Sequence, residues 1–84
     1  MTHTFGIYKV STGHHIDITK LLCVSLQAYG DIVNGKQAIF GVEVQLTFQL
    51  QDEPMKIWQE TYAEAKQVRD EILEVWEEFK RVNP

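Results

Sequence analysis

His3, His14, His15, Asp17 and Cys23 form the one cluster in this chain whose residue types approach a metal site. A zinc site takes three or four such ligands converging on one point. Adjacent His14 and His15 on a strand would point to opposite faces, so His15 and Asp17 are the pair that can share one. No CxxC, HxxxH or HExxH spacing accompanies them. The expectation is therefore no metal and no cofactor, with His15 and Asp17 as the candidates should an ion bind. Otherwise these are solvated histidines around the Gly13 turn. Cys23 becomes a nucleophile only beside an oriented base. Its alternation with Val24 puts it on the outer face of a strand, where a small free cysteine usually just packs. Neither GxGxxG nor GxxxxGK[ST] occurs, so phosphate binding has no support. The chain reads as non-enzymatic.

Charge narrows the partners. Twelve acids against eight bases give a net charge of −4 over 84 residues. Nucleic-acid binding needs a basic stripe that displaces counterions, and an anionic membrane needs the same. The sequence supplies neither, so neither partner is expected. Aromatics that might stack on single-stranded bases lack the basic groove such binders use. Cys23 stands alone, which favours a reducing compartment. Met1 to Gly6 carries no basic segment and no apolar run of signal-peptide length. The expected location is the cytoplasm.

The elements that must position any site follow from hydrophobic period. Residues 1–84 read as one α+β domain, with an antiparallel sheet in 1–59 and a helix in 60–82. Phe5 to Val10 and His15 to Ile18 are strand-like, with Ser11-Thr12-Gly13 between them. Asp17 or Thr19 could instead cap a short helical turn. Leu22 to Tyr29 alternates with its apolar residues at even positions, and Gly30-Asp31 and Asn34-Gly35 signal a turn region. Phe40 to Leu50 is the clearest strand: every even residue is apolar, as one face on a core requires. A two-residue Asn34-Gly35 turn would set Leu26 against Glu43 and mix core with solvent. Shifting by one sets Leu26 against Val44, Val24 against Leu46 and Leu22 against Phe48. The hairpin therefore needs a longer loop or one bulge, for which Gly41 is the natural place. Gln51 to Pro54 is a turn, and Met55 to Trp58 a short edge or starting strand.

Thr61 and Glu64 have capping-box spacing ahead of an uninterrupted Tyr62 to Val82. Ala65, Val68, Ile72, Val75, Phe79 and Val82 make an apolar stripe, widened by Leu73, Trp76 and Tyr62 to suit a sheet. The predicted fold is an antiparallel β-meander of four to five strands covered on one face by a single long C-terminal helix, a two-layer sandwich. A meander ending in a helix resembles the pleckstrin-homology-like arrangement in element order alone, without a shared motif, and implies no function.

A chain this short buries only about 60% of its unfolded surface, so a partner is a live expectation. The outer face predicted for the sheet carries Cys23, Ser25, Gln27, Tyr29, Glu43, Gln45, Thr47 and Gln49, with one charge among them. Interfaces are depleted in charge and enriched in Tyr. The function expected is a protein–protein interaction module, self-associating as a homo-oligomer. Gln27, Tyr29, Gln45, Thr47, Trp58, Tyr62 and Trp76 are the interface candidates, the aromatics as anchors. Two other classes stay open. One is a small-ligand or metal-binding protein. The other is an acidic inhibitor presenting Glu64, Asp70, Glu71, Glu74, Glu77 and Glu78, with Lys66–Asp70 and Glu77–Arg81 as helical pairs, to a basic partner.

Overall fold

The structure, a computed structural model, describes residues 6–82; His3 and Phe5 lie outside them. The elements run β1 (Ile7–Lys9), β2 (His15–Asp17), a 3-10 turn (Ile18–Lys20), β3 (Leu21–Val33), β4 (Lys36–Phe48), β5 (Met55–Gln59) and α1 (Tyr62–Val82). The fold is α+β and antiparallel with one long C-terminal helix, but the strands do not form one meander. Among the described residues β1 pairs with β2 alone, and β3-β4-β5 make a separate three-stranded sheet. The 3-10 turn divides them. Asp17 Oδ1 accepts from the Thr19 amide and hydroxyl, which caps the turn and ends the β2 ladder.

The β3–β4 hairpin closes in two residues, with Asn34 at φ 52° and Gly35 at φ 76°, the left-handed pair of a type I′ turn. Gly30-Asp31 is therefore strand, not turn. Two irregularities follow, and the one nearer the turn corrects the parity. Tyr29 faces Gly41 while Gly30 faces Ile39, so Phe40 is the extra residue on β4. This is the required bulge, one residue from Gly41. Beyond it Leu26 faces Val44 and Val24 faces Leu46, as the apolar pattern demands. At the far end Leu21, rather than Leu22, faces Phe48; Leu22 is extra on β3 and stays exposed.

Among the described residues, twelve apolar side chains form one buried core. Leu21, Val42, Val44, Leu46, Phe48 and Ile57 come from the sheet, Ala65, Val68 and Ile72 from the helix, and Val10, Ile16 and Ile18 from the first hairpin and the turn. The predicted helical stripe is thus buried in its first half. Val75, Trp76 and Phe79 pack partly, and Val82 is exposed. Thr61 Oγ1 accepts from the Glu64 amide at 3.1 Å and donates to Glu64 Oε1 at 3.0 Å, which starts the helix where the capping spacing places it. The acidic face pairs differently from expectation. Asp70 meets Arg69 at 3.0 Å and Glu78 meets Arg81 at 3.7 Å, while Lys66 lies over Tyr62 and Lys80 over Trp76.

The strict alternation predicted from Phe40 to Leu50 fails at both of its ends. Phe40 is 63% exposed, and Leu50, in the turn after β4, is 99% exposed with φ 64°. A left-handed leucine costs about 1–2 kcal/mol against an ordinary conformation, and this one recovers nothing by burial. Leu50→Asn is therefore expected to raise stability by up to about 1 kcal/mol, read as a higher urea midpoint at unchanged slope.

Candidate functional site

Sheet parity sorts the candidates into two places. Val24, Leu26, Val42, Val44, Leu46 and Ile57 face the helix. Gln27, Tyr29, Gln45, Thr47 and Trp58 share the opposite face, where Gln27 pairs with Glu43, Ser25 with Gln45, Cys23 with Thr47 and Trp58 with Glu43. Tyr62 and Trp76 belong to α1 instead. Tyr62 is exposed at its first turn, and Trp76 packs partly against the core with Lys80 Nζ 4.1 Å from its ring centroid. The seven predicted interface residues are thus five on one surface and two apart.

That outer surface has a built centre. Gly41 is buried under the Trp58 indole, and a Cβ there would lie 2.0 Å from Cζ2. Gly41 thus provides the floor on which Trp58 lies. Tyr29 lies beside it, ring centroids 6.1 Å apart and tilted 34°. The Tyr29 hydroxyl donates to Glu43 Oε1 at 2.7 Å, and Gln45 Nε2 donates to the same oxygen at 3.2 Å. The hydrogen bond to Glu43 raises the Tyr29 phenol above its ordinary range, and desolvation adds to it. The same bond holds the Glu43 carboxyl low, against desolvation and helped by Gln45 and by nearby Lys56. The one acid among the eight predicted outer residues is therefore tied down by neighbours, and two aromatic rings remain open beside it.

The sequence reading missed the residues next to this centre. β5 covers β4 only from Val42 to Leu46. Past Ala28 and Gly41, β3 and β4 continue alone as a two-stranded arm to the turn. There Ile32 (70%), Val33, Ile39 and Phe40 are exposed. The arm gives the molecule extents of 50 × 28 × 21 Å and a radius of gyration of 14.6 Å, against about 12 Å for a compact chain of this length.

His15 and Asp17 do line one shallow groove, with Ile7, Lys20, Phe48 and Met55 among its other walls. Asp17 already serves the 3-10 turn, and no three His, Cys, Asp or Glu side chains converge among the described residues. Cys23 is exposed on the outer face. No helix among the described residues is long and apolar enough to cross a membrane.

A perturbed titratable group in a groove is a reason to look for chemistry, and Tyr8 is one. Burial, followed by its hydrogen bond to Glu71 and the charges of Glu71 and Glu74, pushes it from 10.0 up to about 12. Glu71 also accepts from the Ser11 amide at 3.0 Å and the Ser11 hydroxyl at 2.7 Å. A phenol held neutral this firmly is no base near neutrality. The three donors tie the first hairpin to α1 across 60 or more residues of sequence.

Two outcomes check these placements. Because the folded phenol titrates above the unfolded one, its contribution is complete below pH about 10 and is lost as pH rises through about 12. The stability gap between wild type and Tyr8→Phe should therefore narrow over that window in urea titrations. Gly41→Ala should cost about 1–3 kcal/mol by displacing the indole, and much less in a Trp58→Ala background, in a double-mutant cycle. Set against protein-family models, curated proteins and solved structures, the chain matches none.

Proposed function

We propose that this chain is a non-catalytic protein–protein association module that binds a second copy of itself on the sheet side of the molecule. The observation that carries the reading is the apolar arm. A two-stranded ribbon is marginal in water without a third strand or a packed face. This one keeps Ile32, Val33, Ile39 and Phe40 exposed at its end. The neighbouring outer face adds Tyr29 and Trp58, residue types that dominate binding energy at interfaces, around a Glu43 carboxylate hydrogen-bonded by Tyr29 and Gln45. A single cysteine fits a reducing compartment, and we place the protein in the cytoplasm on that ground.

Light scattering over a range of concentration, at low and high salt, tests this. The expected result is a mass approaching twice 9.8 kDa at both salts, since an apolar and neutral contact is little screened. A mass that stays at 9.8 kDa at the highest concentration contradicts self-association. Gln45→Lys with Thr47→Lys, both on β4 and off the β3 edge, then separates the outer face from the arm and edge: an unchanged dimer excludes the face.

A further inference from the structure

β3 carries a feature that says how two copies would meet. It pairs with β4 along one edge, and its other edge has no strand beside it among the described residues. Natural edges are usually blunted by Lys, by Pro or by a bulge. Along Leu21–Val33 there is neither Lys nor Pro, and Asp31 is the only charge. The Phe40 bulge lies on β4 and the Leu22 bulge at the start of β3, so Cys23 to Val33 is an unbroken strand of eleven residues.

The middle residue of that stretch, Ala28, is also where the body ends and the arm begins. Residues 23–27 lie where α1 and β5 cover the sheet, and residues 29–33 form the overhang. The two halves have equal length. A two-fold axis at Ala28 therefore lays each arm along the body half of the other copy. Opposed residues in antiparallel strands share a face, which this axis respects because every pair has matching parity.

On the inner face it sets Val24 against Ile32 and Leu26 against Gly30, with Ala28 against itself. Val24 and Leu26 are partly buried against the core, and Ile32 is the most exposed large hydrophobic residue of the arm. On the outer face it sets Ser25 against Asp31, Gln27 against Tyr29 and Cys23 against Val33. Asp31 thus meets a hydroxyl donor and no like charge. Eleven such pairs supply about ten main-chain hydrogen bonds, the number a typical specific interface carries, once the Ile32 amide of each copy exchanges Asp31 Oδ1, to which it donates at 2.8 Å, for the facing strand.

We infer that the partner is a second copy, joined by antiparallel β3–β3 pairing about Ala28 into one continuous six-stranded sheet. This rests on the self-association proposed above and specifies its register.

The test uses cysteine pairs in a Cys23→Ser background. Ser25→Cys with Asp31→Cys should give a covalent dimer with a short thiol cross-linker. Within one chain these positions are six residues, or about 20 Å, apart and out of its reach. Each single variant should give none, because its own copies are equally far apart across the axis. Ile32→Lys, exposed in the monomer, should keep the circular dichroism and weaken the dimer at least about tenfold by setting a charge against Val24. A dimeric mass without a cross-link in the double variant, or with one in a single variant, overturns the edge register and leaves self-association standing. A monomeric mass overturns both.

Discussion

The structure depends on the parity of one ladder, the pairing of β3 with β4. Side chains alternate with period two, so a one-residue slip would send every core residue of these strands to solvent. The type I′ turn imposes one parity and the buried set Val42, Val44, Leu46 and Phe48 imposes the other. Phe40 absorbs the difference as a bulge. Everything that follows, the helix-facing core and the Tyr29–Trp58 surface alike, is arranged around that single extra residue. The bulge also marks where the body ends. On one side the ladder is buttressed by β5 and α1, and on the other it runs on alone.

The outer surface is built by removal as much as by addition. Gly41 has no Cβ, so the Trp58 ring can lie flat against the backbone. Tyr29 and Gln45 share one oxygen of Glu43, which fixes that carboxylate against the sheet. The first hairpin, short and outside the main sheet, is held by a different device. Glu71 gathers the Tyr8 hydroxyl and both donors of Ser11, while Val10, Ile16 and Ile18 complete the core beneath. Polar ties fix orientation here, and apolar burial supplies the larger share of the stability.

The sequence made the strands and helix legible wherever one face was buried. The alternation of 42 to 48 and the 65–68–72 spacing both describe contact with a core, and both are met. Thr61 and Glu64 marked the helix start because capping is local chemistry. Legibility ended where tertiary context decides. Nothing in β1 or β2 says that three residues each are too few to join the main sheet. Ile32 and Val33, and likewise Ile39 and Phe40, are adjacent apolar pairs with no polar alternation, so they gave no face signal. Gly30-Asp31 then passed for a turn. Apolar residues of both parities around Asn34-Gly35 were the available clue to a ribbon with neither face committed to the core.

What lies beside that ribbon decides how two copies meet. Cys23 is exposed and is the chain's only cysteine, so a spin label can report on the assembly without other changes. Pairing about Ala28 sets Cys23 of one copy ten residues along the sheet from Cys23 of the other. Dipolar spectroscopy should give one intermolecular distance of about 34 Å. A distribution without that distance, or no dipolar signal at concentrations where the mass is dimeric, would contradict edge pairing through the arm.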